Sequence, residues 1–532
     1  MKRTILSLAL CGVAFLVNAQ YSFDALQLSQ TELRGTSRFM SMGGAFGALG
    51  GDLSALNQNP GGIGVYRSHD IGITLNLDLN SSQAKGNNPK ENETKFNVNN
   101  FGYVGVLKLN SETMPNLNWG VSFSRNNSFN RHSRGVATAI PTSITNYVAD
   151  EANYEGITTQ DLDPSDPNID PFYDGYGKWN QILAYRTYLI NPTSSDGTSF
   201  SGLGFDGVYG DAEYEIDERG HTDEFTISLG GNLSNTLYWG MSLGITDLLY
   251  EYQRYYGEAL NNTVIYDAPD DPEAVFVDGN ANLGIVDYNR TTGTGYNFKF
   301  GVILKPVNAL RFGIAFHTPT YYNMKDTYYT VMQGEFYGDN VLDPNGYVVE
   351  EETPFATAHY KIRTPWHLIG SMAGVIGSKA ILSADYEYVA NTNIRLLDDY
   401  GHEFAGSRKE TEDYLSGSHI IRLGGEYRLN PNWSLRAGYS YQTSNASDDV
   451  KNDKTFVTVG GNSTAYSYDR SVQNITAGIG YHYKNVYFDM AYVHKYRQNT
   501  YNAFPLDDYG YNVKWNVNDH TNRITATLGF RF

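Results

Sequence analysis

The side chains that could carry chemistry are dispersed along this chain. Its one cysteine, Cys11, sits in an N-terminal leader, so the mature protein is expected to have no thiol, disulfide or thiolate metal site. The histidines form no HExxH pair, and no serine and histidine share a recognisable nucleophile motif, so an enzyme is not expected. His317, His359 and His482 are the candidate axial ligands should the chain bind haem, and each is equally explained as a lumen or rim residue. Two acidic runs, Asp161/Asp163/Asp166/Asp170/Asp174 and Asp267/Asp270/Asp271/Glu273/Asp278, offer oxygen ligands without EF-hand spacing. The interspersed Pro164, Pro167 and Pro171 favour an exposed loop instead. No metal and no cofactor are expected.

The elements that hold these residues are written in alternation. The last ten residues place Ile524, Ala526, Leu528, Phe530 and Phe532 on one face and Arg523, Thr525, Thr527, Gly529 and Arg531 on the other. Phe530 and Phe532 resemble the terminal signal read by barrel-assembly machinery. Similar period-2 runs pair through short turns at 101–109/117–125, 225–233/237–245, 296–304/310–316, 360–372/380–388, 421–429/433–441 and 475–483/486–492. With His69–Leu79 and the terminal strand, the pattern predicts an all-β transmembrane antiparallel barrel of about fourteen strands. Closure would satisfy every backbone group in lipid. The outer face would meet outer-membrane lipid and lipopolysaccharide.

Composition agrees. There are 43 tyrosines against 6 tryptophans, and 54 glycines, in a chain of negative mean hydropathy and net charge −19. Alternation halves the mean hydropathy of a barrel, and tyrosine supplies its aromatic girdles. The acidic excess argues against a nucleic-acid partner.

The long connections fall on one side, at roughly 80–95, 126–222, 250–293, 317–356, 390–418, 443–472 and 497–519. Of these, 126–222 and 250–293 hold most of the extra length and could carry short helices, as around Ser143–Glu155, and could cap the pore. Lumen-facing charges at this parity are Lys299, Arg311, Lys361, Arg363, Asp385, Glu387, Arg422, Glu426, Arg428, Arg436 and Asp489. They can pair across the wall, or some can hold the carboxylate of an amphiphile. Pro365 interrupts an alternating run and would force a bulge or break, unless a strand ends there.

The N-terminal part divides in two. Lys2 and Arg3, the apolar run to Val17 and Val17-Asn18-Ala19 read as a signal peptide over residues 1–19. Residues 20–68 do not alternate. They hold a helix-compatible stretch from Ser22 to Leu33, glycines between Met42 and Asp52, and the tetrapeptide Asn59-Pro60-Gly61-Gly62. They are expected to form a hatch or plug segment, with residues 69–532 as the barrel.

Gly43-Gly44-Ala45, Asp52, Ser54 and Asn59-Pro60-Gly61-Gly62 running into strand one resemble the FadL/TodX/OmpP1 outer-membrane transport family. The likeness is closest to the divergent branch found in Bacteroidetes, sometimes labelled haemin receptors. Family members have Asn-Pro-Ala-Gly, so Gly61 departs from the pattern. The resemblance implies a fourteen-stranded barrel closed by an N-terminal hatch. It also implies passive uptake of long-chain fatty acids or similar hydrophobic compounds, with no energised periplasmic partner and a kinked strand opening sideways into the bilayer. The alternatives are a general porin for small hydrophilic solutes, a haem-binding receptor and a loop-mediated surface adhesin.

Overall fold

Strand alternation is realised as a wall with two solvents. In the computed structural model, which describes residues 22–204, 209–268, 275–377, 379–460 and 463–532, the barrel strands are β1 (Asp70–Ala84), β2 (Glu91–Lys108), β3 (Asn116–Ser128), β4 (Tyr209–Leu233), β5 (Leu237–Tyr266) and β6 (Phe276–Val307). They continue as β7 (Leu310–His317 and Tyr321–Tyr337), β8 (Ala356–Arg363 and His367–Ile376), β9 (Ala380–Val389), β10 (Ser418–Arg428), β11 (Trp433–Gln442), β12 (Tyr466–Tyr483), β13 (Val486–Asn502) and β14 (Lys514–Arg531). Each pairs antiparallel with its sequence neighbour, and β1 closes on β14 from Asp70↔Arg531 to Ala84↔Val517. The result is the closed fourteen-stranded antiparallel barrel that the alternation predicts.

Outward positions are apolar over a limited height. Leu243 and Ile245 on β5, Phe298 and Phe300 on β6, and Phe312 and Ile314 on β7 all face out and are exposed. Such a continuous apolar belt would be unfavourable against water and belongs in hydrocarbon. Its upper edge is sharp. The next outward residue after Ile245 is Asp247, whose side chain is 63% exposed.

Above that edge the strands continue. The segments expected as connections at 80–95, 250–293 and 317–356 are largely strand, reaching Tyr266 on β5, starting at Phe276 on β6 and reaching Tyr337 on β7. The alternation persists there, but polar and tyrosine side chains replace the aliphatic ones on the outer face, because that face meets water. A hydrophobic period therefore cannot reveal it. The extension is filled from inside by α4 (Ile144–Glu155), a helix where the sequence suggests one and capped by Ser143, and by α5 (Trp179–Arg186). Both belong to the largest apolar cluster, where Tyr147 of α4 stacks on Phe504 and Trp179 of α5 packs on Tyr328 of β7.

Among the described residues the regular ladder of the membrane wall is interrupted at one Pro-flanked site. Single backbone bonds persist across it: the Thr364 amide donates to the Thr320 carbonyl at 3.0 Å, the Thr318 amide to the Phe298 carbonyl at 2.9 Å and the Ala390 amide to the Trp366 carbonyl at 3.1 Å. β7 and β8 each skip three residues at the same height, between His317↔His367 below and Tyr321↔Arg363 above. The skipped triplets are Thr318-Pro319-Thr320 and Thr364-Pro365-Trp366. β9 stops beside them at Val389, and Arg395–Leu397 resumes pairing with β8 beyond a single 3-10 turn at Asn391–Asn393. Pro365 thus breaks the ladder, with Pro319 beside it, since neither ring nitrogen can donate. The odd number of skipped residues also inverts the parity. Ile369 and Ala373 point inward below, whereas Ala358, Tyr360 and Ile362 point inward above. Lys361 and Arg363, expected in the lumen, therefore share the outer face with Asn323 and Tyr321.

Candidate functional site

The segment before β1 lies inside the barrel. It comprises α1 (Ser22–Ser29), α2 (Ser37–Ser41), α3 (Ala55–Gln58) and a 3-10 helix, Pro60–Val65. Small residues let its backbone approach the wall. A Cβ on Gly301 of β6 would sit 1.9 Å from Asn59 Oδ1, one on Gly313 of β7 would sit 2.2 Å from the Gly47 carbonyl, and one on Gly438 of β11 would sit 2.3 Å from the Gly43 nitrogen. These inward wall glycines are plug-contact positions that the sequence analysis did not single out. Their signal was glycine at inward parity on several strands at one height.

Asn59 fastens this contact. Its Oδ1 accepts from the Gly61 amide at 3.0 Å, and its Nδ2 donates to the carbonyls of Gly47 at 2.5 Å and Val302 at 3.2 Å. Pro60 opens the 3-10 helix at a position that needs no donor. Gly61, where the resemblance implies alanine, has a steric reason to be glycine: a Cβ there would lie 2.9 Å from the Gly301 carbonyl oxygen. Gly62 packs on Gly50, and the Gly51 amide donates to its carbonyl at 3.2 Å.

Charges complete the attachment. Arg38 of α2 meets Glu426 at 2.9 Å, Glu426 meets Arg436 at 2.6 Å, and Arg436 reaches Asp489 at 2.5 Å. Asp385 accepts from the Gly47 amide at 2.9 Å and from Gln58 at 3.0 Å. Arg311 donates to the Leu49 carbonyl. Higher up, Arg34 and Arg523 share Asp78 and Glu32, and Lys495 joins Glu32. Most of the lumen charges expected from parity are therefore present and paired. Arg428 is exposed near the short-turn rim.

Between this segment and the chain crossing the lumen at residues 28–34 lies a chamber. Phe39, Leu33 and Ile420 supply apolar wall, and Lys299, Arg422 and His317 supply polar wall. Lys299 is paired with Glu224, and Arg422 with Glu387, which also accepts from His367. The chamber's side reaches Thr318, Thr320, Thr364 and Pro365, the residues of the wall break.

The haem candidates do not converge. His317 bonds the Gln58 carbonyl in the lumen, His359 is exposed on the outer face, and His482 lies beside the Asn432 turn. The aspartates of 161–174 are used locally. Asp161 caps Thr158, Asp163 pairs with Arg186, and Asp170 caps Phe172. Asp270, Asp271 and Glu273 lie outside the described residues, as does the leader with its expected cleavage after Ala19.

The family follows from a match over the barrel rather than over the plug. The outer membrane protein transport family (OMPP1/FadL/TodX) matches residues 211–516. The chain belongs to this family. Among solved structures it is similar to a Pseudomonas aeruginosa FadL homologue, at 12% identity and TM-score 0.50, over 95% of this chain and 100% of that one. It is also similar to the Pseudomonas putida toluene transporter TodX, at 11% identity and TM-score 0.45, over 95% and 99%. No curated protein sequence matches it. As a member of the FadL/TodX/OmpP1 family, the chain is an outer-membrane transport protein.

Proposed function

We propose that this barrel takes up hydrophobic or amphiphilic small molecules passively, through the chamber above an N-terminal hatch and out through the wall break. The observation that carries this reading is the height of the break. Ile245 at the top of the apolar belt is paired with Tyr296, and Tyr296 with Tyr321. Thr318–Thr320 therefore lie just inside the outer-leaflet edge, where the chamber meets the wall. A solute leaving there enters lipid and never crosses the plugged lower lumen.

The hatch reading rests on Asn59, Pro60, Gly61 and Gly62. Together they fix residues 47–65 against β5, β6 and β7, where the plug backbone meets wall glycines at contact distance. That arrangement favours a hydrophobic cargo over the sugars and ions of a general porin. An amphiphile suits a chamber lined both by Phe39 and Leu33 and by the ion-paired Arg422 and Lys299. Long-chain fatty acids are the simplest members of that class. We further assign residues 1–19 as a cleaved signal peptide, and Phe530 and Phe532 as the assembly signal.

Uptake into proteoliposomes tests the reading. Saturable entry of oleate with little sucrose flux is expected. Rapid sucrose flux with no preference for oleate would make the protein a general porin that shares only the fold.

A further inference from the structure

We propose that Glu258 on β5 is a proton-sensitive latch holding the lid helix α4 inside the extracellular mouth. The inference rests on the uptake reading in one respect, that solute enters from the lid side. The latch itself is read from contacts.

Glu258 stands on the part of β5 that rises above the apolar belt, and it is buried. Its carboxylate takes three hydrogen bonds. Ser143 Oγ donates to one oxygen, and the Ile144 amide (2.8 Å) and Tyr256 hydroxyl donate to the other. Two of these partners belong to the N-terminus of α4, so one side chain ties the lid to the wall. The same turn anchors the rest of the lid. Thr145 Oγ1 accepts from the Leu203 amide, and Thr263 on β5 bonds the Leu203 carbonyl.

None of these partners is a cation. The residues facing Glu258 on the neighbouring strands are Ala212 of β4 and Leu283 of β6. On its own strand the facing titratable group is Tyr256, which is in turn packed against Phe504 from the β13–β14 loop. Burial without a counter-charge disfavours the ionised form and pushes Glu258 up to about 7. The protonated form loses little, because the Ser143 and Tyr256 hydroxyls accept as readily as they donate, and the Ile144 amide keeps its acceptor.

The sign follows from linkage. A released lid returns Glu258 to water and to its ordinary range near 4.5. Docking is then strongest below about 4.5, weakens as pH rises towards 7, and stays at its weakest above. A second acid on the same helix, Asp150, meets Asp508 on the β13–β14 loop and must be separated from Glu258 in any test. Glu151 and Glu155 on α4 are already paired with Lys178.

Hydrogen exchange of residues 144–155 in the full-length barrel reads the latch directly, measured in Asp150→Asn with and without Glu258→Gln. After correction for intrinsic exchange, the Asp150→Asn barrel should exchange roughly fiftyfold faster at pH 7.5 than at pH 5. Adding Glu258→Gln should hold the slow rate at both. Exchange independent of pH, or a Glu258→Gln barrel that follows its parent, would overturn the latch. If Glu258→Gln fails to assemble, Tyr256→Phe serves instead. It removes one donor to the anion and should move the midpoint to higher pH; an unmoved midpoint counts against the latch. Entry of neutral 1-decanol into proteoliposomes is followed in parallel. A latch seen by exchange with pH-independent decanol entry supports the latch and rejects the lid-side route.

Discussion

Asn59 Oδ1 occupies the space that a side chain at Gly301 would need: a Cβ there would lie 1.9 Å away. One residue of the plug and one of the wall are thus complementary, and neither can change alone. Gly301→Ala should displace the 59–65 turn at a cost of about 1–3 kcal/mol for overpacking, and raise basal ion conductance in planar bilayers. Asn59→Ala should act in the same direction by leaving the Gly61 amide and the Gly47 carbonyl without partners. Unchanged conductance in both would mean that this contact does not seal the lumen.

The wall break allows a clean chemical test, because Cys11 is the only cysteine in the sequence. Thr318→Cys, modified with a bulky maleimide, should lower oleate uptake severalfold. The same reagent on Tyr400→Cys, an exposed loop position, should not. Equal uptake after both modifications would place the exit elsewhere.

Glu426 is bonded to Arg38 and Arg436 at once. Glu426→Gln leaves two lumen cations short of charge, and removing one partner of a buried pair costs about 3–5 kcal/mol. The expected readout is a lower midpoint for heat-induced loss of the folded band, with α2 becoming accessible to protease. A midpoint equal to wild type would show that Asp489 alone suffices for Arg436.

Asp150 is half-buried on the lid, with Asp507 and Asp508 nearby, and burial with this like charge raises it to about 6. The protonated form is therefore favoured in the docked state. Its contribution to docking is full below about 4 and is lost as pH rises to 6. Asp150→Asn should stabilise the lid at pH 8 by about 1 kcal/mol once solvent screening is allowed for, and should leave it unchanged at pH 4. Equal protection of residues 144–155 in the variant and wild type at pH 8 would contradict this.

At the closing seam the Phe532 amide and carbonyl both pair with His69, and its ring stacks on Phe530 at 5.4 Å. Phe532→Ser keeps the backbone bonds and removes the ring. If Phe532 is an assembly signal, surface-exposed protein should fall severalfold, while protein refolded in detergent keeps its thermal midpoint. A loss in both settings would assign the ring to stability alone.

Sequence alone determined the barrel and the paired hairpin cores, and put the strand number at about fourteen, because lipid outside and water inside impose a two-residue period wherever the wall crosses hydrocarbon. It also marked Pro365 and the plug motif at Asn59–Gly62, since proline and glycine restrict local backbone geometry whatever surrounds them. Tertiary structure decided the rest. The strands above Asp247 lie in water on their outer face, so no hydrophobic period records them. Lys361 and Arg363 lie outside because three skipped residues invert the parity, and a skip shows only in the ladder. Gly301 and Gly313 gained their meaning from the plug that presses on them. Glu258 meets the start of a helix more than a hundred residues earlier in the chain, a contact that no local pattern records.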